Sequence, residues 1–371
     1  MKVAIDAQAL GTQGGGDETY IRNVIRGLAT VDPTGDYTLY LARPLPNLNI
    51  PGTEHMSRVV VPHKLFRRTP ISIPLRAARD HIDVIHAQYA GPPFATVPFV
   101  VSIHDISYER YPQWFTRADL LHMRAFVSWT SRRAAAVLTL SEYSKSDIVR
   151  RYCVPPERVV VVPCAADPVF RPLPYDAERL MKVRKRYGTE ERFILCVGNL
   201  QPRKNLVTLI RAYVRLRQAG ATRHKLVLVG RKGWLYDDIF AAARDSGYAD
   251  ELVFTDYVPD EDLTALYNTA DLFVYPSLFE GFGIPPLEAM ACGTPVITSN
   301  TSALPEVVGD AAIMVDPLDV DALARAMQNV LDDSELSARL SESGLRRASM
   351  FSWEDSARTI LGVYRRVSRS R

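Results

Sequence analysis

Leu272-Phe273-Val274, then Phe279-Glu280-Gly281-Phe282-Gly283-Ile284-Pro285-Pro286-Leu287-Glu288, then Pro295-Val296-Ile297-Thr298 read as strand, glycine turn, helix and second strand. Pro286 suits the opening of the helix, which puts Glu280 in the loop and Glu288 in the helix's first turn, where both can face one pocket. The Gly-Phe-Gly turn leaves backbone N–H groups open beside a helix N-terminus. That arrangement suits phosphate and polyhydroxylated ligands, and a sugar nucleotide carries both.

The same rhythm extends in both directions. Upstream, Val3–Ile5, Tyr37–Leu41, Val59–Val61, Val84–Ile85, Phe99–Ile103, Val137–Leu140 and Val159–Val162 read as strands, with helices near Thr19–Ala29, Leu120–Ala135 and Tyr143–Tyr152. Beyond Pro168-Val169-Phe170-Arg171-Pro172-Leu173-Pro174 it resumes with Phe193–Val197, Leu226–Val229, Leu252–Phe254, Leu272–Val274, Pro295–Thr298 and Ala312–Val315. Buried strands alternating with helices predict an α/β fold of two doubly wound, Rossmann-like domains with parallel sheets. The proline-rich stretch reads as a semi-rigid linker between them. Such domains bind ligands at the carboxyl ends of their strands, so two of them facing each other imply a cleft lined by strand-to-helix loops.

The chain's 371 residues fit two domains of about 150–200 residues each. A net charge of +3 gives no reason to expect nucleic acid as a partner. Cys153, Cys164, Cys196 and Cys292 lack metal-cluster or disulfide spacing, which predicts reduced thiols in a cytoplasmic protein. Asp6 interrupts the first apolar run, so no secretory leader is expected there, and no run of about 18 apolar residues predicts a membrane span.

Four loops follow apparent strands: the cluster Gly14-Gly15-Gly16, His104-Asp105, Gly198 through Asn205, and the Glu280 segment. Arg203 and Lys204 stand just before the helix 206–217. The helix dipole disfavours cations there unless an anion joins them, and a guanidinium fork beside a mobile ammonium matches a diphosphate. The glycine cluster is not a dinucleotide fingerprint, and by itself it reads equally as a flexible turn. A lone histidine such as His104 is as often structural as functional, and Asp105 either orients it or caps the next turn. Asp319-Val320-Asp321 reads as a helix cap rather than a metal site.

With Gly293-Thr294-Pro295-Val296 downstream of the paired glutamates, the chain resembles the retaining GT-B glycosyltransferases of family 4, over nearly its whole length. The resemblance implies residues 1–168 as an acceptor-side domain, with a helix at 353–371 packing back onto it, and 169–352 as the donor-binding domain. It implies that Glu280 contacts donor-sugar hydroxyls beside the N–H groups of Gly281, Phe282 and Gly283. Glu288 would bind ribose, and Arg203 and Lys204 the diphosphate. Gly230, Arg231 and Val258 would border the base, Gly15 and Gly16 would approach the donor, and His104 would contact its sugar. Transfer with retention, without a metal or other cofactor, is the implied reaction, because cations and helix-end N–H groups can meet the departing charge.

The segment 103–115 looks like a stretch in bacterial mannosyltransferases that build surface polysaccharides, which favours GDP-mannose as donor, with UDP-glucose or another UDP-sugar as the alternative. Between 63 and 80, Lys64, Arg67, Arg68, Arg76 and Arg79 mix with Leu65, Phe66, Ile71, Ile73 and Leu75. The mixture suits either peripheral contact with an anionic membrane, recruiting a lipid-linked saccharide acceptor, or a solvated helix. The run Arg365–Arg371 reads as a solvated tail. A sugar-nucleotide epimerase of the same architecture and a non-catalytic binding protein are the other readings.

Overall fold

Why the apolar runs become strands is visible in their burial: Val84-Ile85-His86-Ala87-Gln88, Phe99-Val100-Val101-Ser102 and Ala136-Val137-Leu138-Thr139 are buried at every position, as strands covered on both faces must be. The computed structural model describes residues 1–12, 15–46, 48–61, 67–174 and 177–369. Two compact units emerge: Met1–Cys164 together with Ser352–Arg371, and Ala165–Phe351.

The first unit runs β1 (Lys2–Asp6), α1 (Gly16–Val31), β2 (Asp36–Leu41), β3 (Ser57–Val60), α2 (Ile73–Arg79), β4 (Val84–Gln88), β5 (Phe99–Ser102), α3 (Ser107–Arg110), α4 (Arg117–Arg133), β6 (Ala136–Thr139), α5 (Glu142–Tyr152) and β7 (Val159–Val161). Its parallel sheet has the order β3-β2-β1-β4-β5-β6-β7, so the winding reverses between β1 and β4. Ligands of doubly wound sheets bind beyond the strand ends at such a reversal.

The second unit holds α6 (Ala177–Arg186), β8 (Phe193–Val197), α7 (Leu206–Gln218), β9 (Lys225–Val229), α8 (Asp237–Arg244), β10 (Leu252–Asp256), α9 (Asp260–Thr269), β11 (Leu272–Tyr275), α10 (Ile284–Ala291), β12 (Val296–Ser299), α11 (Leu304–Val308), β13 (Ile313–Val315), α12 (Val320–Asp332) and α13 (Ser334–Ala348). The sheet order is β10-β9-β8-β11-β12-β13, with its reversal between β8 and β11.

The last helix, α14 (Trp353–Arg369), belongs to the first unit. Its buried stripe of Trp353, Ala357, Ile360, Leu361, Tyr364 and Val367 has helical spacing and meets α1, whose Ile21, Val24, Ile25 and Leu28 are buried in turn. The two helices approach closely because α1 carries Gly27: a Cβ there would stand 2.7 Å from the Trp353 carbonyl oxygen. Ser356 Oγ also donates to the Pro163 carbonyl at 2.5 Å. The expected tail from Arg365 is therefore helical as far as Arg369, with Val367 buried, because the apolar stripe continues through it. Ser370 and Arg371 lie outside the described residues.

Three other expectations are corrected. The proline-rich stretch is packed within the second unit rather than linking the two: Phe170 is buried edge-on to Tyr267, Asn268 Oδ1 accepts from the Leu173 N–H, and Asn268 Nδ2 donates to the Arg171 carbonyl. Side chains of α9 thus satisfy the segment's backbone, and the units divide at Cys164/Ala165 rather than after 168. Helix α10 opens at Ile284, so Glu288 falls in its second turn rather than its first. The third correction concerns Arg68, which is not part of a surface basic patch. From a π-helical turn (Arg68–Ser72) its side chain enters the interior, only 2% exposed. There it pairs with Asp6 and donates to the carbonyls of Tyr40 at 2.9 Å, Leu41 at 3.5 Å, and Val61. A guanidinium has enough donors to satisfy several open strand-end carbonyls at once, which a surface location would waste. Arg76 is tied to Asp80 at 2.7 Å, leaving Arg67, Ile71, Leu75 and Arg79 exposed. His63, Lys64, Leu65 and Phe66 lie outside the described residues, as does Gly14.

Candidate active site

In the second unit, β8 and β11 flank the reversal, and the loops after them are joined. The Leu278 N–H donates to the Arg203 carbonyl at 2.9 Å, and Asn205 Nδ2 donates to the Pro276 carbonyl at 3.1 Å. This brings Arg203 and Lys204, on a 3-10 turn (Pro202–Lys204), against Glu280. Glu280 Oε1 accepts from Lys204 Nζ at 2.7 Å, Tyr275 OH at 2.9 Å and Ser277 Oγ at 2.6 Å, while Arg203 Nη1 lies 3.4 Å from Oε2. Lys204 also donates to Tyr275 OH. The Glu280 N–H is fixed by Ser302 Oγ at 2.9 Å. Burial works against the Glu280 charge, but Arg203 and Lys204 overcome it and hold the carboxyl down at about 2. The site is therefore a buried anion ringed by donors, with Arg203 the more accessible of the two cations at 22% side-chain exposure.

Glu288 has the opposite character. Burial, reinforced by Asp260, pushes its carboxyl up to about 8, against the hydrogen bond from Tyr267 OH at 3.0 Å. At neutral pH it is largely protonated in the free protein. Gly281, Phe282 and Gly283 are buried, with the Phe282 ring edge-on to Phe351 at 5.7 Å. At the ends of β8 and β9 the backbones touch: a Cβ on Gly230 would stand 2.1 Å from the Gly198 carbonyl oxygen, and Gly230 has φ +149°. Glycine is the residue that fits there. Arg231 lies over the Tyr257 ring at 4.8 Å, and Val258 is buried. Asp319 caps α12 by accepting from the Ala322 N–H at 2.8 Å.

In the first unit, His104 follows β5 and is 7% exposed. Its orienting acid is Asp17, in the first turn of α1, with Nδ1 and Oδ1 2.9 Å apart. Asp105 instead accepts from the Ser107 N–H at 2.8 Å and caps the following turn. Tyr20 and Tyr89 flank the imidazole edge-on at 4.4 and 5.3 Å, and Nε2 is buried without a hydrogen-bond partner among the described residues. Behind it runs a line of hydrogen bonds: Tyr20 OH to Ser102 Oγ at 2.9 Å, Ser102 to His86 Nε2 at 2.7 Å, and His86 Nδ1 to Tyr364 OH at 2.6 Å. Burial pushes the His86 pKa down to about 3, so this network stays neutral. Gly15 and Gly16 are exposed at the start of α1. The loop before them is anchored where Glu18 Oε1 accepts from the Gly11 N–H at 2.8 Å.

Sequence reasoning missed Asp17, Tyr275, Ser277 and Ser302. The first three each sit within a few residues of a recognised motif, but only the fold turns them toward it. In the 103–115 stretch, Glu109 pairs with Arg124 and Arg151, and Arg110 with Asp147, so those residues tie α3 to α4 and α5.

The description "Glycosyl transferases group 1" fits residues 178–347 and "Glycosyltransferase Family 4" fits residues 14–170. The O-antigen chain mannosyltransferase B of Escherichia coli is 36% identical over 296 residues, covering 78% of this chain and 76% of its own. The chain belongs to the family 4 glycosyltransferases. Another relative of this glycosyltransferase, the MMP alpha-(1->4)-mannosyltransferase of Mycolicibacterium hassiacum, is 32% identical over 325 residues, 80% of this chain and 75% of its own. The fold is that of sucrose-phosphate synthase from Thermosynechococcus elongatus (TM-score 0.81, 22% identity, full coverage of both chains). It is also that of Anabaena HepE in complex with UDP and glucose (TM-score 0.77, 19% identity, 98% of each chain). Both belong with the GT-B architecture expected of paired Rossmann-like domains.

Proposed function

We propose that this glycosyltransferase moves mannose from GDP-mannose to a saccharide hydroxyl, with retention of configuration and without a metal. The observation that carries the reading is Glu280, kept ionised by Arg203 and Lys204 at the reversal of a doubly wound sheet. The mannosyl relatives support the choice of sugar.

Arg203 supplies planar donors for the diphosphate, and Lys204 a buried positive charge for the negative charge that grows as it departs. Glu280 spends both oxygens on its own protein partners, so it is poorly disposed to attack an anomeric carbon. That favours departure and attack on one face over a glycosidase-like double displacement. Glu288 takes the ribose, and His104 Nε2 takes a sugar hydroxyl. The work falls to fixed side chains and backbone, and chelator-treated protein should retain its activity.

Thermal unfolding with GDP- and UDP-sugars tests the donor. A ligand at 100 times its Kd adds about 2.7 kcal/mol of stability. GDP-mannose is expected to raise Tm, UDP-glucose to do so less, and Arg203→Ala to remove most of the shift. A full shift in that variant would overturn the diphosphate assignment, and sugar release without acceptor as an altered sugar nucleotide would indicate epimerisation.

The exposed set Arg67, Ile71, Leu75 and Arg79 favours an acceptor carried at an anionic membrane face on the cytoplasmic side, each nearby cation contributing about 1 kcal/mol. Reversing Arg67 and Arg79 to Glu should weaken cosedimentation with phosphatidylserine vesicles by roughly tenfold or more. Unchanged binding removes the membrane role. Among the described residues no helix is long and apolar enough to cross a membrane.

A further inference from the structure

The geometry points to Gln88 as a second sugar-hydroxyl contact, forming with His104 a donor and acceptor pair at the carboxyl edge of the first sheet. The inference rests on the glycosyltransferase reading and extends it to a residue that no motif marks.

Gln88 is the last residue of β4 and the register partner of Ser102 on β5. Alternate residues of a strand share a face, so Gln88 points to the same side as His86, whose Nε2 bonds Ser102 Oγ. His104 occupies that side too, since Tyr20 touches both Ser102 and the His104 ring. Gln88 and His104 thus continue one polar column to the strand ends, beside the β1/β4 reversal where ligands of this fold bind. The inner members of the column, Tyr364, His86, Ser102 and Tyr20, satisfy one another. The two outer members do not.

Gln88 is 6% and His104 7% exposed, and among the described residues neither Gln88 Nε2 nor His104 Nε2 has a hydrogen-bond partner. Two buried nitrogens left open at the ends of adjacent strands are costly to the fold unless a ligand meets them. Their chemistry says which. The Asp17 carboxylate only accepts, so it fixes a hydrogen on His104 Nδ1, and in the tautomer with that single hydrogen Nε2 is an acceptor. The Gln88 amide nitrogen donates. A phosphate or carboxylate would call for donors alone, whereas a donor beside an acceptor suits a hydroxyl or a vicinal diol of a pyranose. Tyr89, directly after Gln88, is held at φ +55° with its ring edge-on to His104 at 5.3 Å.

Gln88→Met preserves shape and removes the donor. Tm should stay the same or rise, because a buried amide nitrogen without a partner among the described residues is lost; a structural role would lower it. By calorimetry, affinity for GDP-mannose should fall about tenfold, equivalent to about 1.4 kcal/mol, with GDP affinity unchanged. That result assigns the hydroxyl to the donor sugar. A tenfold rise in KM for methyl α-mannoside as acceptor, with both affinities unchanged, assigns it to the acceptor. If neither changes while Arg203→Ala still loses nucleotide, the inference fails and the donor assignment stands. If wild-type protein binds neither GDP-mannose nor UDP-glucose, the donor assignment falls and takes this inference with it.

Discussion

Glu280→Gln should unfold about 3–5 kcal/mol more easily than wild type and lose activity by on the order of 100-fold or more. The stability loss arises because Lys204 Nζ, buried against Glu280 and Tyr275, is left with a positive charge and no anion. A buried pair is only weakly stabilising as a whole, but removing one partner exposes the full cost of burying the other. The activity loss follows from position, since Arg203 and Lys204 both lean on the same carboxylate and both move when it goes. The double variant Glu280→Gln with Lys204→Met separates the two effects. It should recover much of the stability and none of the turnover. Urea unfolding and initial rates measure both, and a Glu280→Gln protein as stable as wild type would falsify the buried pair.

The second large effect is a pH dependence at Glu288. Its carboxyl is held at about 8, against an ordinary value of 4.5, by burial and by Asp260. The folded state therefore binds the proton more tightly than the unfolded chain. The stability this contributes is whole below about 4.5, declines as pH rises, and is gone above about 8, at up to about 1.4 kcal/mol per pH unit. Wild type should lose about 3 kcal/mol relative to Glu288→Gln between pH 5.5 and 8. Glu280, held at about 2, acts in the opposite sense, stabilising above its ordinary value and losing this only as pH falls toward 2, below the range compared. Parallel pH profiles for the two proteins would sink the assignment. Ribose hydroxyls donate to a carboxylate, so nucleotide binding at pH 7 should also release a proton, visible in buffers of different ionisation enthalpy.

How far the sequence reveals these sites depends on the distance over which each is built. The strands were legible because burial on both faces demands continuous apolar runs, and the Glu280 loop because glycine, proline and acid fall within ten residues. The partnership of Arg203, Lys204 and Glu280 was accessible through a known family pattern. Asp17 was not recognised as the partner of His104, since 87 positions separate them and an acid in a helix's first turn already has a local explanation. Arg68 was misassigned for a related reason. Among Arg67, Arg76 and Arg79 it reads as one more surface cation, and only the π-helical turn delivers it to Asp6. The neutral state of Glu288 depends on a tertiary burial that no spacing records.

Because α14 closes the first unit from the far end of the chain, that unit cannot be finished in the order in which it is translated. Ribosomes would complete the whole second unit, residues 165–351, before the covering helix emerges, a delay of roughly 10–40 s at ordinary elongation rates. Throughout that interval the apolar stripe of α1 lacks its cover. Nascent chains stalled before Trp353 would present chaperones with an oily, half-built lobe attached to a lobe that is already complete.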